Sequence, residues 1–288
     1  MQLTKNFVKA KQPCAAGYRW FVRSRNGEGE YQQLLDDLVA EDRIEDAIWL
    51  LDQFGPTDQV RVLDFLDAKA MIFAGDLVVK HGIDVETIVR AGRSIKTEGG
   101  IRATGNIVAG QDVKAAGGMR CDGDLLAGGD VHAGWGIEVG KTLSCRGNVS
   151  ASWSIDVGLE LTVDGDLHAH RDIFAGTSLV CRQGIKAGGA IQSDGCIHAE
   201  RGIIAGDAIQ CADYLDARWG VKAGGDITAG SAIRVGEGIE TPGSISCGPG
   251  HGVYAGLAVR VDAWDVSARV HADRRPDRLL SGFWGGRP

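Results

Sequence analysis

Ile101-Arg102-Ala103-Thr104-Gly105-Asn106-Ile107-Val108-Ala109-Gly110-Gln111-Asp112-Val113-Lys114-Ala115 obeys one rule every six residues: an aliphatic, a free position, a small residue, then turn-formers. Outward from this stretch the rule runs from Met71 to Ile245, thirty aliphatic landings without an insertion or a miss. Leu77, Ile83 and Val89 precede the quoted residues, and Met119, Leu125 and Val131 follow them. The small residue two places on is most often Ala, otherwise Val, Cys, Thr, Ser or a single Phe. A short fixed period of this kind is the signature of a solenoid.

Six residues suffice for one side of a coil. In a strand, residues i and i+2 point the same way, so the aliphatic and the small residue enter one core. The intervening Gly, Asp, Ser and Asn turn a corner, where glycine makes positive φ cheap. Three sides close a coil of eighteen residues, which predicts a mainly β chain: a parallel β-helix of about ten coils. Large-then-small inward pairs let like residues stack from coil to coil.

The flanks differ. Cys14 to Val22, Tyr31 to Val39 and Ile44 to Leu51 have helical apolar spacing, and Gly55-Pro56 stops the last of them. They predict a helical N-terminal cap over 1–64, followed by the β-helix over 65–259 with Phe65 already on the six-residue phase. The phase breaks at Gly248-Pro249-Gly250-His251-Gly252 and resumes with Val253 and Val259. Val261, Trp264, Val266 and Val270 predict a closing strand or two. A C-terminal cap and tail over 260–288 is expected to fold back across the last coil. Caps are needed because the end of a β-helix is an open edge of unpaired N–H and C=O groups.

Composition narrows the function. Aromatics are 6% of the chain and Gly 43 of 288 residues, which suits a thin solenoid. A net charge of −7 argues against nucleic-acid binding and fits a basic partner. The N-terminus has no apolar signal region and no run reaches membrane length, so the expectation is a cytoplasmic protein without membrane contact. Cys121, Cys145, Cys181, Cys211 and Cys247 occupy small inward positions. Cys145 and Cys181 share a side but lie two coils apart, as do Cys211 and Cys247, too far for a disulfide, and there is no CxxC. No metal or cofactor site is expected.

The free positions fall into rows at intervals of eighteen. Val108, Leu126, Ser144, Thr162 and Val180 make a mildly apolar strip. Lys96, Lys114, His132, Ser150, His168 and Lys186 lie beside Asp112, Asp130, Asn148 and Asp166, and predict a self-neutralising ladder. Trp135 and Trp153 should stack at a corner, and Phe174 and Trp219 occupy outward or corner positions. Val108, Leu126, Val180, Trp135, Trp153, Phe174 and Trp219 are therefore the candidate partner-binding residues, since exposed aromatics mark interfaces. His132, His168 and His198 raise catalysis, but no hexad carries the loop that would deliver a histidine, and no nucleophile triad, P-loop or HExxH occurs. A non-enzyme is expected.

Two resemblances extend this reading. The order aliphatic-x-small-Gly, as in Ile107-Val108-Ala109-Gly110, resembles the bactofilin type of polymer-forming β-helix, which implies right-handed coils. The left-handed acyltransferase hexapeptides place the small residue before the aliphatic one. The Trp-containing helical module (Gly17-Tyr18-Arg19-Trp20, Asp46-Ala47-Ile48-Trp49-Leu50-Leu51) followed by Gly-rich repeats resembles immunity proteins encoded beside polymorphic toxins and type VI secretion effectors of proteobacteria. That likeness implies stoichiometric occlusion of a cognate toxin, with a cytosolic nuclease favoured, by a monomer or a side-by-side dimer. The alternatives are a bactofilin-like scaffold and a hexapeptide-type acyltransferase.

Overall fold

The computed structural model describes residues 1–259 and 263–288, so the expectation placed on Val261 lies outside the described residues. Every aliphatic of the repeat opens a short strand. Successive strands take the three sides of a coil in turn, so Ile107–Ala109, Val113–Ala115 and Met119–Cys121 belong to three different sheets. Each strand pairs in parallel with the strand eighteen residues on. Ile101 lies over Met119, Ile107 over Leu125, and Val113 over Val131. The sheets hold twelve strands (first face, containing Ile107–Ala109), thirteen (second face, containing Val113–Ala115) and eleven (third face, containing Met119–Cys121). That makes about twelve coils of a parallel β-solenoid. At a strand spacing of about 4.8 Å the rod is roughly 55 Å long.

Inward residues are buried along the regular coils, with Met71 and Cys247 at the two ends only partly so: Ile107, Val113 and Leu125 are fully enclosed, and their small partners Ala109 and Ala115 nearly so. The glycines of the corners serve a purpose other than the expected one. None of the regular corners uses positive φ; among the described residues the glycines that do are Gly27, Gly55, Gly250, Gly256, Gly282 and Gly286. At Gly110 a Cβ would stand 2.1 Å from the carbonyl oxygen of Gly92, and at Gly128 it would stand 2.2 Å from that of Gly110. These glycines let one coil lie close on the next.

The extra coils come from the flanks. Before Met71 the chain already forms the strands Val60–Leu63 and Leu66–Ala68. Leu66, not Phe65, is the inward residue: Leu66 is buried and lies beside Ile83, whereas Phe65 is 54% exposed. The first coils are shorter than eighteen residues, which shifts the phase by one. In Val60–Leu63 the inward slot over Leu77 is taken by Arg61. Its guanidinium lies 4.7 Å from the Phe73 ring and bonds the Asp36 carboxylate at 2.7 and 3.1 Å.

Helices α1 (Lys5–Ala10), α2 (Ala15–Ser24), α3 (Tyr31–Ala40) and α4 (Ile44–Phe54) form a second core around Leu3, Phe21, Leu34, Leu35 and Leu51. Gly55, at φ +75°, ends α4. This module packs on the first coil through Ile72 and Ala74. Buried Gln32 of α3 donates from Nε2 to the Ile72 carbonyl at 3.2 Å, and its Oε1 accepts from the Ala74 N–H at 2.9 Å. One side-chain amide thus stands in for the missing neighbour of the edge strand Met71–Phe73.

The C-terminal end differs from the expected cap. Val259 is in no strand, and Trp264–Ser267 is a short helix, α5. Val270 is buried in Arg269–His271, which extends the second face beyond Ile239. The tail reaches the last coil by pairing with it along two faces. Its strands Leu279–Ser281 and Phe283–Gly286 continue the first and second faces in parallel, because pairing satisfies their backbone groups. Leu280 and Phe283 remain 63% and 45% exposed at that end.

Candidate partner-binding site

Three faces of a triangular rod look in different directions, so the seven candidate residues divide among them. Val108, Leu126 and Val180 point outward from the first face; Val108 pairs with Leu126, and Val180 follows beyond Ser144 and Thr162. Phe174 is outward on the third face, beside Asp156. Trp135 and Trp153 occupy the corner between the second and third faces, and half-buried Trp219 the corner between the first and second. The Arg201 guanidinium lies 5.4 Å from the Trp219 ring.

Besides Val108 and Leu126, the candidates brought together are Trp135 and Trp153. Their ring centroids are 6.4 Å apart, and Arg171 continues the stack with its guanidinium 4.5 Å from Trp153. Eighteen-residue spacing puts these three side chains on successive coils at one corner. The rings remain 66% and 50% exposed.

Along the same corner, ahead of Trp135, runs an open trough of about 690 Å³. Its floor is Gly82, Gly100, Gly118 and Gly136; Phe65 closes one end and the two tryptophans the other. One wall carries Asp84, Arg102, Arg120 and Glu138, with Arg120 paired to Glu138 at 3.1 Å. The four glycines recur at intervals of eighteen, a signal present in the sequence but masked by the many other glycines.

The polar rows behave differently from a simple charge ladder. Asp112 Oδ1 accepts the Asp130 N–H at 3.0 Å, Asp130 that of Asn148 at 2.8 Å, Asn148 that of Asp166 at 2.9 Å, and Asp166 that of Gly184 at 2.9 Å. Each side chain therefore fastens one coil to the next through backbone. Lys114 bonds Asp112 at 2.7 Å, and that hydrogen bond holds the Asp112 carboxyl below its ordinary range. The histidines are dispersed: His132 bonds Ser150 at 2.8 Å, and His168 packs on His170. His198 sits between Glu200 and Asp216 on another face, at 3.3 and 3.8 Å.

Burial drives the inward thiols up, Cys121 and Cys211 to about 12 and Cys145 and Cys181 to about 11. Among the described residues no group of three or more His, Cys, Asp or Glu side chains is arranged to hold a metal ion. No helix there is long and apolar enough to cross a membrane.

Residues 1–54 match the family described as the YdhT N-terminal domain. The match covers the helical module and ends before the first strand of the solenoid, so it does not reach the trough. No curated protein and no solved structure matches the chain significantly.

Proposed function

We propose that this chain is an immunity protein: a rigid binding surface that captures a cognate toxin domain, a nuclease met in the cytosol, and occludes it stoichiometrically. The observation that supports this is the Trp135–Trp153–Arg171 stack beside an open trough. Exposed, preordered aromatics lose little side-chain freedom on binding and give large contact area, as interface anchors do. The repeat holds them at a fixed corner, so the free and bound surfaces have nearly one shape. The resemblance of the helical module plus repeats to immunity proteins supplies the class of partner.

The test is co-expression with the toxin domain encoded by the neighbouring gene, followed by affinity capture and a viability assay. A one-to-one complex and rescue of growth are expected, both weakened by Trp135→Ala with Trp153→Ala. A genuine neighbour that is neither bound nor neutralised sinks the proposal.

One observation favours a second reading, a bactofilin-like scaffold. The strands Leu279–Ser281 and Phe283–Gly286 end their sheets with Leu280 and Phe283 exposed, and bare strand edges recruit further strands. Filaments or end-to-end assemblies in sedimentation would favour it over occlusion.

A further inference from the structure

The rod shows what its own trough lacks. At corner after corner, an Asp or Asn oxygen takes the backbone N–H of the residue eighteen positions on. Besides the row from Asp112, this occurs for Asn106 with Asp124 at 2.8 Å, Asp172 with Ala190 at 2.8 Å and Asp226 with Ser244 at 2.6 Å. The last two lie on the same corner as the trough, farther along the rod. In the trough the corresponding residues are Gly82, Gly100 and Gly118, which have no side chain to offer. The N–H groups of Gly100, Gly118 and Gly136 accordingly donate to no protein atom among the described residues. A row of backbone donors about 4.8 Å apart is left open where carboxylates sit elsewhere.

The wall gives these donors a charge pattern. Asp84, Arg102, Arg120 and Glu138 follow one another on successive coils, acid, base, base, acid. Arg102 is exposed and makes no ion pair among the described residues, so a cation stands beside the open N–H groups. Its complement is a ligand with carboxylates at its centre. From Phe65 to Trp135 the trough spans four coil spacings, about 19 Å, the length of five or six residues of extended chain. The aromatic rings at either end suit flanking apolar side chains.

We propose that the trough receives the side-chain carboxylates of an extended acidic segment of a partner protein, held by Arg102 and the N–H groups of Gly118 and Gly136. This rests on the reading of the chain as a protein-binding rod and names the part of the partner it grips. Recognition is local: it operates against the overall charge of −7, and so is most visible near physiological ionic strength, where a Debye length of about 8 Å screens the distant acids more than the contact with Arg102.

The experiment uses the full chain and a pentaglutamate amide labelled with fluorescein at its amino terminus, with pentaglutamine and oligogalacturonate as comparison ligands. Gly118→Asp is the decisive variant, since it places a carboxylate where Asp112 has one at another corner. A Cβ at Gly118 meets the Gly136 carbonyl oxygen at 3.4 Å, ordinary contact, so the variant is expected to fold. Gly118→Ala is its steric control. Pentaglutamate is expected to bind the wild type and Gly118→Ala, and to bind Gly118→Asp and Arg102→Ala about tenfold or more weakly, the loss of a charge-assisted hydrogen bond.

Equal binding to Gly118→Asp, or none to the wild type, overturns the site. Equal binding of pentaglutamine overturns the carboxylate requirement. Preference for oligogalacturonate overturns the protein segment in favour of a uronate glycan. If pentaglutamate follows the expected pattern while the neighbouring toxin domain is not captured, the trough stands and the neutralising function falls.

Discussion

Ala187 is 2% exposed, between Ala169 and Ala205 of the adjoining coils. Ala187→Asp would bury a carboxylate with no partner in a column of methyl groups, and the expected outcome is loss of soluble protein. Trp153→Ala contrasts with it, because half of that ring is in solvent: the thermal midpoint should stay within about 2 °C, as for ordinary surface substitutions. If Trp153→Ala unfolds the rod, the ring is structural and not an interface anchor. Thiol chemistry tests burial at the same scale. Exposed Cys14 should react first with a thiol reagent in the native state, while Cys121, Cys145, Cys181 and Cys211 stay protected until denaturation.

A single amide governs the joint between helices and coils. Gln32→Leu leaves the Ile72 carbonyl and the Ala74 N–H unpaired, a loss of about 2–6 kcal/mol at roughly 1–3 kcal/mol per buried group. Gln32→Glu keeps the acceptor but turns a second oxygen on the Ile72 carbonyl and the Asp36 carboxylate, so at neutral pH it should cost at least as much as Gln32→Leu; hydrogen exchange at Ala74 would rank both against the wild type. The corner ladders predict acid sensitivity. Asp112 and Asp226 are held below the ordinary carboxylate range, by the Lys114 hydrogen bond and by the Ser244 N–H respectively. A folded pKa below the unfolded one gives stability present above the unfolded value and lost as pH falls through the folded one. The unfolding midpoint should therefore drop on acidification below about pH 4, and less in Asp112→Asn.

What the sequence made legible follows from the same elements. Thirty regular hexads announce the solenoid because a strand period of two and a short turn leave no other use for a six-residue rhythm. The first coil was not legible: Arg61 fills an aliphatic slot, and Leu66 comes one residue after the phase points to Phe65. Only tertiary partners, Asp36 and the Phe73 ring, make that arginine acceptable inside. The Asp rows read as counter-ions to lysine because charge is visible in a sequence, whereas a bond from Oδ1 to a distant N–H is not. The trough stayed hidden for the complementary reason, since an unfilled donor leaves no residue to notice.

As a whole, the molecule is a rod with unlike ends. One is engaged by the helical module, and the other finishes in the strands Leu279–Ser281 and Phe283–Gly286. Small-angle scattering should show an elongated particle whose solenoid accounts for about 55 Å. Leu280→Asp with Phe283→Lys should reduce any end-to-end assembly without changing that dimension. The placement of Gln32 ahead of every coil has a consequence for synthesis. Residues 1–54 leave the ribosome before the coils, so the amide that receives the opening strand is ready when Met71–Phe73 emerges. Each later coil then finds a completed one to settle on, and the column can be laid down in the order in which it is translated.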